Sequence, residues 1–186
     1  SSIKNVLRRV DEQVTTQSNW DNIEINTKNN SPENRIALIE ILKCVPGIAH
    51  FLEVQQTTYT DVQNIFEKTL AIHGKSIKNK TFCVRVKRIG KHDFSSTDVE
   101  HYVGGALNRH VESSKVKLTN PDVTIRLEIK KEYLFIVSER HQGLGGFPIA
   151  SQEDVLSLMS GGFDSGVSSF QMMKKELKVI IRKNIF

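Results

Sequence analysis

The sequence has few cysteines and prolines, and it has no long apolar run. Its 186 residues contain two cysteines, Cys44 and Cys83, in no Cys-x-x-Cys pattern. This excludes a disulfide framework and a cysteine zinc site. No apolar stretch approaches the roughly 20 residues that cross a bilayer, and the first residues have neither an initiator Met nor a signal-peptide pattern. We therefore expect a globular, cytoplasmic chain that does not enter a membrane.

Positive charge is concentrated in the middle of the chain. The sequence holds 26 lysines and arginines against 21 acidic residues, a net charge of +5. Residues 80–117 contain eight of these bases and four of the acids, so this segment alone carries +4. Localised positive charge is expected of a protein that binds a polyanion such as nucleic acid. A solvated surface face has the same composition, and both interpretations stay open at this point.

The first 57 residues alternate between helix and strand patterns. Apolar residues from Ile3 to Val14 recur at three- and four-residue spacing, which predicts one amphipathic helix. The segment WDNIEINT predicts a strand, a helix with Ile36 facing inward follows Pro32, and a second strand lies around FLEV. This order is a ferredoxin-like split βαβ unit without its first strand. Either that strand lies upstream or the fragment pairs differently.

A new unit is predicted to begin near Thr60, again with alternating helices and strands. Asp61 is placed to start a helix, and Gly74 is suited to end it. Thr97 and Glu100 have the spacing of a capping box, which predicts the start of the next helix.

Three strands are predicted in the same unit. The segment TFCVRVKRIG places Phe82, Val84 and Val86 on one face and sends Arg85 and Lys87 to the other. The segments TNPDVTIRLEI and YLFIV are the next two strands, and the intervening KKE makes a hairpin plausible.

A glycine turn near the end of the sequence could hold a phosphate group. An apolar strand leads into Ser160-Gly161-Gly162, and a helix opened by Asp164 and Ser165 follows. Glycines and a helix N-terminus can bring backbone N–H groups to a polyphosphate. Asp164 would repel phosphate, so it is expected to cap the helix or hold Mg²⁺. There is no Gly-Lys-Ser/Thr of a Walker A loop, and a tight packing turn is the alternative.

Several segments together resemble one family. The motif SGGFDS resembles the pyrophosphate loop of ATP pyrophosphatases. With TFCVRVKRIGKHDFSSTDVEHYVGGALNRHVES, VKLTNPDVTIRLEI, GLGGFPI and EDVLSLMSGGFDSGVSS, the chain closely resembles the tRNA 4-thiouridine synthetases, also called thiamine-biosynthesis sulfurtransferases. The resemblance extends over nearly residues 1–170.

The resemblance implies an α+β chain in several parts. Residues 1–57 would be a ferredoxin-like remnant whose first strand is missing. Residues 58–141 would be a THUMP RNA-binding domain, with a family boundary as early as about residue 36. A linker at 142–153 would lead to residues 154–186, the truncated start of an ATP pyrophosphatase domain with one Rossmann-like strand, loop and helix.

The resemblance also implies an activity for the parent protein. ATP with Mg²⁺ would activate O4 of uridine 8 in tRNA as an adenylate, and persulfide sulfur from a cysteine desulfurase would displace AMP. The same sulfur would serve thiamine thiazole synthesis. No cysteine follows Cys83, so this chain is expected to bind tRNA without being catalytic alone, and to bind ATP weakly if at all. The implied ATP-binding residues are Leu158, Met159, Ser160, Gly161, Gly162, Asp164 and Ser165.

Basic residues of the central segment are the candidate tRNA contacts, and the acceptor end is the expected region of the tRNA. The alternative is a non-catalytic structural or protein-interaction domain with a nonspecific basic face. A homodimer is also expected to be possible, because an incomplete sheet exposes strand edges. No histidine spacing indicates a metal site. The candidate tRNA-binding residues are Arg85, Lys87, Arg88, Lys91, His92, Arg109, Lys115 and Lys117.

Overall fold

The computed structural model describes residues 2–18, 22–29, 31–145 and 177–184, which divide between two units. Unit 1 comprises residues 1–53 and 139–183, and unit 2 comprises 54–138 and 184–186. The helices are α1 (Ser2–Arg8), α2 (Pro32–Lys43), α3 (Val62–Ile77) and α4 (Ser96–His110). The strands are β1 (Thr15–Ser18), β2 (Asn22–Thr27), β3 (Ile48–Thr58), β4 (Thr81–Ile89), β5 (Lys115–Val116), β6 (Val123–Lys130), β7 (Tyr133–Gln142) and β8 (Leu177–Asn184). The fold class is α+β, as the sequence predicted. No helix in the described parts of the chain is both long and apolar enough to cross a membrane.

In unit 1 the strand order is β1-β2-β8-β3-β7. β1 pairs antiparallel with β2, and β8 pairs parallel with β2 from Asn22↔Lys178 to Thr27↔Lys183. With β8 as an added strand, the chain order α1-β1-β2-α2-β3 acquires the strand that the ferredoxin-like pattern lacks. The buried apolar residues of this unit are Ile3, Leu7, Val14, Ile25, Leu38, Ile39, Leu42, Ile48 and Phe51.

The first helix is shorter than the apolar spacing predicted. It ends at Arg8, Val10 is 43% exposed, and Val14 reaches the core from outside the helix. The cause is Asp11, whose buried carboxylate accepts hydrogen bonds from Gln13 N, Thr27 Oγ1 and Asn34 Nδ2. Burial alone would raise the pKa of Asp11, but these three bonds lower it overall.

The inner face of α2 also differs from the prediction. Ser31 caps the helix by accepting from Asn34 N, and Pro32 takes the first helical position. Ile36, predicted to face inward, is 56% exposed, whereas Leu38 is 1% exposed. Two residues correspond to about 200° around a helix, so these side chains lie on opposite faces.

In unit 2 the strand order is β3-β7-β6-β4-β5. β4 pairs parallel with β5 and with β6, and β6 pairs antiparallel with β7. The predicted hairpin is present: Lys130 pairs with Tyr133, and Lys131 in the two-residue turn has a φ of 54°. The core between α3, α4 and one sheet face is Ile65, Phe66, Ile77, Phe82, Val84, Val99, Val103, Ala106, Leu107, Ile125, Leu127, Ile129, Leu134 and Ile136.

The ends of α3 and α4 correct two predictions. Asp61 caps α3 as expected, but the helix passes through Gly74 and continues to Ile77. The capping box of α4 is formed by Ser95 and Asp98, not by Thr97 and Glu100. Glu100 Oε1 instead accepts the backbone N–H of Val86 in β4 at 2.8 Å, which ties the helix to the sheet.

Candidate nucleic-acid interface

The alternation of β4 sorts apolar and basic side chains onto opposite faces of the unit 2 sheet. Phe82 and Val84 are buried against α3 and α4. Arg85 and Lys87 are exposed and lie on the face that these two helices do not cover. The sequence predicted this separation, because the strand period alone determines it.

The register between β4 and β6 adds further basic residues to that face. Arg85 pairs with Arg126, Lys87 with Glu128, and Ile89 with Lys130. Arg126 and Lys130 are both exposed, and the sequence pattern alone had not indicated them. Arg85 Nη2 donates to the carbonyl of Leu118 at 3.1 Å, which holds one side of its guanidinium in place.

The edge strand β5 extends the same face. Lys115 pairs with Thr81 of β4, and the backbone N–H of Lys117 donates to the carbonyl of Phe82 at 2.8 Å. At this edge, hydrogen bonds from Thr81 N and Oγ1 lower the pKa of Asp122, with smaller contributions from Lys117 and Lys80. We call the exposed cations of this surface the basic sheet face: Arg85, Lys87, Lys115, Lys117, Arg126 and Lys130.

The arginine pair is the most informative feature of the basic sheet face. Arg85 and Arg126 are directly paired on neighbouring strands, which lie about 4.8 Å apart. Like charges directly opposite each other destabilise a sheet. An anion placed between the two guanidiniums would turn this repulsion into two charge-assisted contacts.

Arg88 and His92 lie on a different surface and are engaged within the protein. Arg88 Nη1 donates to the carbonyl of Gly90 at 3.1 Å and lies 3.3 Å from His92 Nδ1. His92 Nε2 is 3.0 Å from the carbonyl of Lys131, and its ring stacks on Phe94 at 5.4 Å. We assign the proton to Nε2, because this lets Nδ1 accept from Arg88. His92 therefore holds the 90–94 loop against the β6–β7 turn, and Arg88 at the end of β4 holds His92 in place.

The two remaining candidate tRNA contacts also lie away from the basic sheet face. Lys91 is exposed in this loop, and Arg109 is exposed in the last turn of α4. The structure therefore brings four of the eight predicted tRNA contacts onto one face and leaves four elsewhere. The predicted ATP-binding residues, from Leu158 to Ser165, lie outside the residues that the structure describes.

Comparison with known proteins assigns the chain to a class. Residues 59–139 match the THUMP domain, and residues 150–183 match the family described as Thiamine biosynthesis protein (ThiI). The part of the chain that carries the basic sheet face is thus similar to a THUMP domain.

Curated relatives narrow this assignment. The chain is 74% identical over 175 residues to a tRNA sulfurtransferase of Colwellia psychrerythraea, a match that covers 94% of this chain and 36% of that protein. It is 56% identical over 178 residues to a tRNA sulfurtransferase of Psychromonas ingrahamii, with 96% and 37% covered. Over almost its whole length the chain is thus similar to part of the tRNA sulfurtransferases. It spans little more than a third of the length of these relatives.

Two solved structures share the fold. PH1313 from Pyrococcus horikoshii aligns with a TM-score of 0.57 and 24% identity, over 97% of this chain and 60% of that one. A 4-thiouridine synthetase in complex with RNA and bound ATP aligns with a TM-score of 0.53 and 19% identity, over 98% and 47%.

Proposed function

We propose that this chain is the tRNA-binding part of a tRNA sulfurtransferase and that its basic sheet face contacts the phosphates of the tRNA acceptor end. The observation that carries the proposal is the exposed, directly paired Arg85 and Arg126. Lys87, Lys115 and Lys117 extend the positive charge along the same face. A related 4-thiouridine synthetase was crystallised with RNA, which supports RNA as the polyanion.

The chemistry of this face suggests how the tRNA is recognised. Lysine and arginine contacts to phosphates fix position and orientation but carry little sequence information. Recognition by such a face therefore depends on the shape of the tRNA and on its single-stranded 3′ end. Affinity should fall steeply with salt, because each phosphate that is bound releases condensed counterions.

The proposal extends to the reaction of the whole protein. ATP with Mg²⁺ adenylates O4 of uridine 8 and releases pyrophosphate. The outer sulfur of a persulfide, supplied by a cysteine desulfurase, then attacks C4 and displaces AMP together with the adenylated oxygen. A second thiol cleaves the remaining S–S bond, which gives 4-thiouridine and a disulfide. The same sulfur relay serves thiamine thiazole synthesis. The ThiI match at 150–183 and the ATP bound by a related synthetase support this assignment.

Within this reaction the loop from Ser160 to Ser165 is assigned to the ATP phosphates. Gly161 and Gly162 let the backbone N–H groups approach the polyphosphate, and Asp164 is available to Mg²⁺. By the same resemblance, Leu158 and Met159 are assigned to contacts with the nucleotide. The sulfur-transfer role is assigned to neither Cys44 nor Cys83, and on this proposal the chain binds tRNA without modifying it.

Binding titrations test the proposal. The chain is titrated with a full-length tRNA, the same tRNA without its 3′ single strand, and a duplex of equal charge, each at two salt concentrations. The double variant Arg85→Gln/Arg126→Gln should bind tRNA more weakly. Its plot of log K against log salt should be shallower by about 0.7 to 0.9 for each phosphate that the variant no longer binds.

A matched control is Lys28→Gln/Lys75→Gln, which removes two exposed cations that are not part of the basic sheet face. Equal losses of affinity in the two double variants would show that the basic sheet face attracts RNA only through its overall charge and is not a specific binding site. Equal binding of all three RNAs would favour the alternative function, a structural or protein-interaction domain with a nonspecific basic face. Sedimentation of the free chain over a range of concentrations would test for a homodimer.

A further inference from the structure

Unit 1 contains a cluster of two carboxylates and one imidazole that the tRNA-binding proposal does not use. Glu53 lies on β3, and Glu139 and His141 lie on β7. His141 Nε2 is 3.7 Å from Glu53 Oε1 and 3.8 Å from Glu139 Oε2. One ligand atom from each residue lies within 4.8 Å of the other two. The Glu53 and His141 side chains are 6% and 11% exposed, whereas Glu139 is 53% exposed, so the cluster is buried on one side and reaches water on the other.

The histidine is held in an orientation that leaves one nitrogen facing the two carboxylates. Its ring stacks on Phe51 with centroids 4.8 Å apart and an interplanar angle of 23°. Nε2 is buried, and it makes no hydrogen bond to the described residues. The oxygens at 3.7 and 3.8 Å are beyond hydrogen-bond range. Buried polar atoms are normally satisfied, so this nitrogen calls for a ligand between it and the carboxylates.

Arg35 is the cation already at the cluster. Its Nη2 donates to Glu53 Oε2 at 2.8 Å and to Glu139 Oε2 at 2.7 Å. The two carboxylates outnumber the one guanidinium, and this excess of negative charge still favours a cation. The Arg35 side chain is 33% exposed, so it can move into solvent if another cation takes its place.

We propose that Glu53, Glu139 and His141 bind a divalent first-row metal ion such as Zn²⁺ and that Arg35 competes with it. Donors about 2.1 Å from a tetrahedral zinc ion are about 3.4 Å apart, so the two separations from His141 Nε2 need to contract by only a few tenths of an ångström. The two carboxylate oxygens lie within 4.8 Å of each other, so the exposed Glu139 side chain moves the furthest when the ion binds. One imidazole with two carboxylates is a donor set suited to zinc and similar ions rather than to calcium. Glu53 and His141 are remote in sequence, so no ligand spacing could predict the site.

The test uses the full chain without a polyhistidine tag, stripped of metal with a chelator and titrated with Co²⁺. Cobalt reports its ligands through visible absorption bands. The expected result is a saturable signal at one equivalent. Loss of even an outer hydrogen-bond partner of a metal ligand costs about 10- to 100-fold in affinity, so His141→Gln and Glu139→Gln should weaken binding by at least that range. Arg35→Gln should bind Co²⁺ more tightly.

The control is His101→Gln, which removes an exposed histidine from α4 and should leave the titration unchanged. Circular dichroism checks that each variant is folded. If His141→Gln fails to fold, the partly exposed Glu139→Gln still decides the question. Absence of a saturable band, or equal bands in the chain and a folded Glu139→Gln variant, would overturn the metal site. Tight binding that Arg35→Gln does not improve would overturn the competition.

Discussion

Gly143 gives a sharp prediction about a segment that the sequence pattern assigned to a linker. It directly follows β7, and its N–H donates to the carbonyl of Ala49 at 2.8 Å. Two residues later, the N–H of Gly145 donates to the carbonyl of Ile48 at 2.9 Å. A Cβ at position 143 would lie 2.1 Å from Ile48 O and 2.9 Å from Ile48 C, both backbone atoms. Gly143→Ala therefore cannot be accommodated by a side-chain rotation.

The loss of stability in Gly143→Ala can be worked out from the backbone that has to move. To relieve this overlap, the 143–145 segment must separate from the start of β3, and both backbone hydrogen bonds are strained or broken. Each buried backbone group left unsatisfied costs about 1 to 3 kcal/mol. We expect Gly143→Ala to lower the free energy of unfolding by about 3 to 5 kcal/mol. For a chain of this size, that corresponds to a melting temperature lower by roughly 6 to 20 °C.

The assay is thermal and urea unfolding followed by circular dichroism, with Gly145→Ala as the matched control. Gly145 has a φ of 69°, but a Cβ there would meet nothing within 4 Å. Its substitution should therefore cost only the left-handed penalty of about 1 to 2 kcal/mol. If Gly143→Ala is no more destabilising than Gly145→Ala, then the close approach to Ile48 does not constrain the chain and the expected cost is refuted.

Three further predictions follow from single features. Burial lowers the pKa of His73, so as the pH falls the histidine of the unfolded chain is protonated before that of the folded chain. The free energy of unfolding should therefore decrease below about pH 6.5, by up to about 1.4 kcal/mol per pH unit. Urea titrations at several pH values should show this slope, and His73→Gln should remove it. Ser95→Ala should cost about 1 kcal/mol by urea unfolding, because the hydroxyl accepts from Asp98 N, whereas Thr97→Ala should cost less. Deleting residues 177–186 should speed hydrogen exchange in β2 and leave β6 protected; equal exchange in both strands would contradict the observed pairing.

The face of each strand was predictable from the sequence, but the register between strands was not. Alternation alone placed Arg85 and Lys87 opposite Phe82. That Arg126 stands beside Arg85 depends on how β4 and β6 align across a sequence separation of 41 residues, and a shift of one residue would have sent Arg126 to the core. The candidate interface was therefore half predicted, and its arginine pair required the structure.

The helix ends could not be predicted from the sequence for a related reason. A cap depends on which of several nearby polar side chains reaches a backbone N–H, and the sequence between Phe94 and Glu100 offers several. Ser95 and Asp98 form the box because Glu100 is engaged by the Val86 N–H. Tertiary contacts thus selected between caps that local sequence left nearly equivalent.

The ferredoxin-like pattern of the first 57 residues was one strand short, and this correctly indicated a place for another strand in the sheet. The sequence indicated a unit that is one strand short, and the structure has β8 between β2 and β3, parallel to β2. Edge strands expose unpaired N–H and C=O groups, and a strand inserted between two of them satisfies both edges at once. β8 overlaps the segment that matches the ThiI family at 150–183. The segment that carries the loop from Ser160 to Ser165 is therefore joined to unit 1 by β7 on one side and by β8 on the other.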